Sequence, residues 1–419
     1  MKSENLGRFL RYFQRVKNSI KMKRRFFIKQ SALASTAALV PSFLSGFAPR
    51  ERYRSRAGKI LVVVQLSGGN DGLNTVVPYR NDIYYSSRPT LAIPSDEVIG
   101  IHDEQGLHPA MKDLQPVYDD GLVSIVNSVG YPNPDRSHFR SMDIWQTGSA
   151  SNEYWSTGWL GRYLDSDCPN CASPHHAIEV DDSLTLALKG HSRKGFAMGR
   201  PEQLGKTSKN RFLEEIGRRY QPDHDHEEVA YLYKTLVDTQ SSAEYLYRQS
   251  KVHRSRMNYP ATAFGRDLKQ IAELITADTD TRIYYVSLTG FDTHAGQKGR
   301  QARLLGQYAA AMSVFIRDLQ QHDLLQDMLI LTFSEFGRRV EQNASQGTDH
   351  GTANNLFLMG GSLKHPGFYN DPPDLSRLDE GDLRFEIDFR SVYTTILHQW
   401  LEADAPEVLG GAFPILSVL

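Results

Sequence analysis

At 419 residues, 40% of them hydrophobic and 23% charged, the chain is long and apolar enough to bury a large core, which excludes a disordered protein. Its 48 lysines and arginines nearly balance 49 aspartates and glutamates. No global field therefore favours nucleic acid or an anionic membrane surface, and any charged ligand must be held locally.

In chain order, Lys23-Arg24-Arg25-Phe26-Phe27-Ile28-Lys29 resembles the twin-arginine export motif, and a modest apolar stretch from Ser31 to Ala48 follows. That stretch is diluted by Ser, Thr, Pro and Gly, whereas a membrane span needs roughly 20 strongly apolar residues. A retained anchor is the alternative. Residues 1–48 are thus expected to be an N-terminal extension and signal read by the twin-arginine export machinery, which places the protein in the periplasm or outside the cell. Export in the folded state allows a metal to be inserted beforehand in the cytoplasm, where its availability is controlled.

Residues 49–58 read as a basic, polar linker, and 59–419 as one domain. The apolar run Ile60 to Leu66 predicts a buried parallel strand that empties into LSGGNDGLNT. The spacing there is neither GxGxxG nor GxxxxGK[ST], so the loop is read as a turn presenting Asn70 and Asp71. Pro109 to Asp119 predicts a helix and Leu122 to Val129 a second strand, expected to form a parallel pair with the first. Cys168 and Cys171 form CPNC, suited to a local disulfide in an oxidising compartment. Zinc there would need two further ligands, and the nearby His175 and His176 match no standard closed spacing.

Residues 202–277 read as a polar helical insertion. Strands are predicted at Arg282 to Leu288, Met328 to Thr332 and Asn355 to Met359, with an amphipathic helix at Gln301 to Gln320. Alternating strands and helices with polar motifs at strand ends predict a doubly wound α/β fold with a mostly parallel central sheet flanked by helices.

Those strand ends deliver Asp71; Arg136, Ser137, His138 and Arg140 in NPDRSHFRSMDIWQTG; Asp292 and His294 in FDTH; Glu335 in SEFGR; and Asp349 and His350 in TDHGTAN. In an extended segment residues two apart share a side, so Asp292 and His294 can reach one point. Mixed carboxylates and imidazoles suit zinc, manganese or iron, while an all-oxygen cage would suit calcium. Ser137 stands at a predicted helix start, where anions are stabilised and where a capping role is the simpler alternative. Arg136 and Arg140 would complement an anionic substrate oxygen.

The twin-arginine signal together with VVVQLSGGNDGLNTVVPY, LHPAM, SHFRSMDIWQTG, FDTHAGQ, LTFSEFGRR, TDHGTAN and DFRSVY resembles a large bacterial family of exported proteins of unknown activity, related in fold to the alkaline phosphatase and sulfatase superfamily. The resemblance covers nearly all of Lys59 to Leu419. It implies a divalent metal ion held by Asp71, Asp292, His294, Glu335, Asp349 and His350, with Ser137 as the nucleophile. The implied activity is hydrolysis of phosphate or sulfate esters, with an anionic ester or a sulfated or phosphorylated glycan as substrate. The alternative is a non-catalytic or degenerate member that binds an envelope glycan or protein. Phe336 stands where the superfamily has a second-pair His, which implies one metal or a degenerate site instead of two.

Overall fold

The computed structural model describes residues 58–166, 173–200, 204–205, 215 and 227–419. The signal, most of the linker, CPNC and part of the segment 202–277 lie outside them. The strands are β1 Ile60–Ser67, β2 Val76–Val77, β3 Ile99–Gly100, β4 Gly106–Leu107, β5 Val123–Gly130, β6 Ala177–Glu179, β7 Phe196–Ala197, β8 Ile283–Thr289, β9 Met328–Phe333, β10 Asn354–Gly360, β11 Gly367–Phe368 and β12 Ile387–Asp388. β2, β4 and β3 make a small antiparallel sheet. The others build the main sheet in the order β11-β5-β10-β9-β1-β8-β6-β7, with β12 beside β5.

All neighbouring pairs in the main sheet are parallel except the two made by β10, which runs against both β9 and β5. The fold is therefore a mixed, mostly parallel sheet flanked by helices. The expected parallel pair of β1 and β5 does not form. The two strands run in the same direction, but β9 and β10 lie between them. Expected as one helix, Pro109 to Asp119 begins as a 3-10 segment, Pro109–Leu114, and continues as an α-helix, Gln115–Asp119. Pro109 and Pro116 lack the N–H that an uninterrupted ladder requires.

β1 shows why the sheet is covered on both sides. Ile60, Val62, Val64 and Leu66 join one apolar layer with Leu304, Leu305, Tyr308, Met312, Phe315, Ile316 and Leu319 of the helix Gln297–Gln321 and with the helix Ala263–Thr276. Leu61 and Val63 join the other, with the helices His138–Thr147, Trp159–Ser166 and Phe389–Thr395. Successive side chains of a strand point to opposite faces, so an apolar run broken only by Gln65 fits a strand with a core on each side.

The direction of β10 decides which loops meet at one edge of the sheet. Parallel strands deliver the residues that come after them to a common edge, whereas an antiparallel strand delivers the residues that precede it. The segment Asp349-His350-Gly351, ahead of β10, thus arrives at the same edge as the segments that leave β1, β5, β8 and β9.

Candidate metal centre

The helix His138–Thr147 is pinned by its middle. Trp145 stacks between Phe333 and Phe389, with ring centroids 4.9 and 4.4 Å away, and Tyr393 Oη donates to the Trp145 carbonyl at 2.9 Å. Gly148, at φ 74°, ends the helix. This fixes the opposite end, where His138 projects over the sheet edge beside the chain leaving β8 and β9.

Four side-chain atoms converge there. Asp292 Oδ1 lies 3.4 Å from His138 Nε2, 3.1 Å from His294 Nε2 and 3.3 Å from His350 Nε2. The Nε2 atoms of His294 and His350 are 2.9 Å apart. Within the described residues His138, Asp292 and His350 form a group whose ligand atoms all lie within 4.8 Å of one another.

The remaining ring nitrogens face hydrogen-bond acceptors. His138 Nδ1 is 3.0 Å from Glu335 Oε1, His294 Nδ1 is 3.1 Å from Asp349 Oδ1, and His350 Nδ1 is 2.7 Å from the Arg136 carbonyl. The outer acceptors favour the form of each ring protonated on Nδ1, Asp292 Oδ1 favours the form protonated on Nε2, and an ion bound at Nε2 would decide for the first. In the first form all three Nε2 atoms point lone pairs toward Asp292 Oδ1. His138 Nε2 is buried and makes no hydrogen bond among the described residues. The first form is the arrangement in which metal-binding histidines are held, with the outer nitrogen donating to a carboxylate or carbonyl.

Charge at the site points the same way. Three carboxylates, Asp292, Glu335 and Asp349, surround the imidazoles, and one guanidinium, Arg338, reaches Asp292 Oδ1 at 2.9 Å. Burial pushes the Asp292 carboxyl up, but hydrogen bonds from Arg338 and His350 outweigh it and bring the group down to about 2. The Glu335 hydrogen bond raises His138, and burial lowers His350.

Gly68 and Gly69 serve the close packing of this centre. Gly68, at φ 118°, leaves no room for a Cβ, which would lie 2.4 Å from the Asp292 nitrogen. Its own N–H donates to Glu335 Oε1 at 2.8 Å. At Gly69, at φ 69°, a Cβ would lie 2.1 Å from the Phe336 ring. Arg338 ties the loop down by donating to the carbonyls of Gly68, Gly69, Phe291 and Thr348. Phe336 in turn packs its ring against His138 and His350, with centroids 4.9 and 4.7 Å away.

The structure thus brings together His138, Asp292, His294 and His350, with Glu335 and Asp349 holding two of the rings from outside. Asp71 is placed elsewhere. Its carboxylate is buried against Arg88 at 2.5 Å and accepts from Gln297, so the loop closes over Asp71 instead of presenting it. Ser137 is the exposed N-cap residue of its helix and makes no side-chain cap. The Arg136 side chain pairs with Asp382, and Arg140 donates to the carbonyls of Ala150, Ser151 and Glu153 while stacking on Tyr154. Both arginines are occupied in holding loops. Arg338, the residue that sequence reasoning missed at this centre, was visible only as part of FGRR.

The family described as "Protein of unknown function (DUF1501)" matches residues 119–405. The chain belongs to this family. No curated protein matches the sequence. Similar solved structures include the C-terminal periplasmic domain of EcEptC from Escherichia coli in complex with Zn, at 9% identity over 73% of this chain and 74% of that one, with a TM-score of 0.33. The PsFucS1 sulfatase from Pseudoalteromonas sp. is 9% identical over 84% and 68% of the two chains, with a TM-score of 0.37. The phosphonate monoester hydrolase SpPMH from Silicibacter pomeroyi is 9% identical over 85% and 77%, with a TM-score of 0.36. No helix among the described residues is long and apolar enough to cross a membrane.

Proposed function

We propose that the chain is an exported metal-dependent hydrolase of phosphate or sulfate esters. The observation that carries this reading is the convergence of three Nε2 atoms on Asp292 Oδ1, each ring held by an acceptor at its other nitrogen. His138, Asp292 and His350, with His294, would hold the ion, and the imidazole-rich set suits zinc, manganese or iron better than calcium. When bound, a divalent cation supplies positive charge for an anionic ester oxygen and for a nucleophile.

The chain's own residues supply the rest. Ser137 directly precedes His138, and its exposed hydroxyl makes no side-chain hydrogen bond to a described residue, so it is the candidate nucleophile. The first-turn N–H groups of the ten-residue helix that begins at His138 favour an anion at the same end. Asp292, kept ionised by Arg338, holds its charge at any pH at which the enzyme would work.

The test is metal analysis of protein exported through its own signal, combined with a panel of aryl phosphates and sulfates. One metal per chain with turnover supports the reading, and Ser137→Ala should keep the metal and lose turnover. Folded, metal-free and inactive protein would instead favour a degenerate binding member, with Phe336 filling the place of a ligand. Export itself rests on Arg24 and Arg25, and the pair Arg24→Lys, Arg25→Lys should leave the chain in the cytoplasm.

A further inference from the structure

The candidate metal centre is assembled from segments that are remote in sequence. Asp292 and His294 lie on the chain leaving β8, whereas His350 lies on the chain entering β10, 56 residues beyond His294. A buried amide bridges the two. Gln297 Oε1 accepts from Thr293 Oγ1 at 3.1 Å and from Thr348 Oγ1 at 2.6 Å. Thr293 stands between Asp292 and His294, and Thr348 stands two residues before His350. Thr293 is buried while Asp292 and His294 are half exposed, the alternation of an extended segment that turns its ligands outward and the residue between them inward. Thr348 is buried as well.

The direction of the amide is set from its other end. Gln297 Nε2 donates to Asp71 Oδ2, and a carboxylate oxygen paired with Arg88 can only accept, so Oε1 faces the two hydroxyls. Gln301, one turn further along the helix Gln297–Gln321, supports the same direction. Its Oε1 is a second acceptor for Gln297 Nε2 at 3.3 Å, and its own Nε2 donates to the Asp71 carbonyl at 2.9 Å. The amide thus has an acceptor besides the Asp71 carboxylate. Arg338 also spans the two segments, through the carbonyls of Phe291 and Thr348, but it is bonded to Asp292 itself. The Gln297 side chain bonds to none of the candidate ligands among the described residues.

We infer that Gln297 is a positioning residue of the metal centre, acting through Thr293 and Thr348 to hold Asp292 and His294 on one segment against His350 on the other. The inference rests on the metal reading above for its purpose, while the bridge is a feature of the chain alone. Each hydroxyl that donates to Oε1 fixes the backbone beside a ligand, and two such bonds to one oxygen fix the separation of the two backbones. The Nε2 atoms of His294 and His350 then lie 2.9 Å apart, within reach of a single ion.

The experiment compares the full chain with Gln297→Met, Thr348→Val and Thr348→Ser. Zinc and manganese affinities are measured by competition with a fluorescent chelator, and melting midpoints check the fold. Gln297→Met, of similar length but without either polar end, should weaken metal binding about 10–100-fold and Thr348→Val about tenfold, the range for groups that hold a ligand in place. Thr348→Ser keeps the hydroxyl and should keep nearly all of the wild-type affinity. A second readout needs no metal. In the metal-free chain with labelled histidines, the nuclear Overhauser contact between the rings of His294 and His350, whose centroids are 4.6 Å apart, should persist in Thr348→Ser and lose more than half its intensity in Thr348→Val. Wild-type affinity in both Gln297→Met and Thr348→Val, or an equal loss in Thr348→Val and Thr348→Ser, would overturn the inference. If Gln297→Met does not fold, Thr348→Val decides alone, since Thr293 keeps Oε1 bonded there. A wild-type chain that takes up neither ion removes the metal reading, and the ring contact then decides the bridge, which stands if the contact is lost in Thr348→Val and falls if it is unchanged.

Discussion

Asp71 and Asp292 lie just beyond neighbouring parallel strands at the same edge of the sheet, and each is bonded to an arginine. Their surroundings are opposite. Asp71 and Arg88 are both almost completely buried, and Asn74 and Gln297 add bonds to the same pair. Asp292 is half exposed, and three imidazole nitrogens face the same oxygen that Arg338 holds. Asp71 spends its charge on one buried guanidinium, whereas Asp292 shares one oxygen between Arg338 and three imidazole nitrogens, a mixed donor set of the kind that suits a cation.

The comparison breaks most sharply under mutation. Asp292→Ala should abolish stoichiometric metal binding at a smaller cost in stability, because Arg338 keeps its bonds to the carbonyls of Gly68, Gly69, Phe291 and Thr348. Asp71→Ala should do the reverse, leaving Arg88 buried and unpaired at a cost of about 3–5 kcal/mol in stability. Metal analysis and denaturant unfolding of the two variants together decide the matter. Metal loss in Asp71→Ala at full stability would return Asp71 to the centre.

That contrast also shows how far the sequence was legible. The long strands announce themselves because a sheet covered on both faces demands stretches rich in apolar residues, and β1, β5, β8, β9 and β10 all lie within a residue or two of where such stretches fall. Direction is not written in such a run, which reads alike either way, so the antiparallel placement of β10 was invisible. So was the short edge formed by β6 and β7. FDTH already marks Asp292 and His294 as candidates, since residues two apart in an extended segment share a side, whereas His350 in TDHGTAN is marked only by its motif. The partner of Asp71 was hidden because Arg88 lies in IYYSSRPT, a segment without a motif, and only folding of the glycine loop brings the two together.

A smaller effect sharpens the account of the centre. Asp349 is exposed and is bonded to His294 Nδ1 and Asn343. Asp349→Ala should weaken metal binding about 10–100-fold, the usual consequence of removing a partner that orients a ligand. Stability should not change. Competition of the variant with a chromogenic chelator measures the affinity, and wild-type affinity would show that His294 needs no such support or is not a ligand.

Glu179, at the end of β6, is a third case, a carboxylate buried without a guanidinium or imidazole against it. Burial raises its carboxyl from 4.5 to about 7, although Thr185 donates to it through its backbone N–H. A proton thus does for Glu179 what Arg88 does for Asp71. Between pH 4.5 and 7 the folded chain binds this proton more tightly than the unfolded one, so stability falls as pH rises through that window. His108 and His175 act oppositely, since burial lowers both to about 4. Between about 4 and 6.5 the unfolded chain takes up protons that these two refuse, so their contribution is lost as pH falls. The opposing slopes partly cancel in the wild type. Glu179→Gln removes only the first, so its stability should rise more steeply from about pH 4.5 to 6.5 than that of the wild type. The difference in slope should be at most about 1.4 kcal/mol per pH unit, the limit for one proton. Parallel urea titrations across this range measure it, and identical pH profiles would mean that Glu179 is ionised in the folded protein and has found a cation after all.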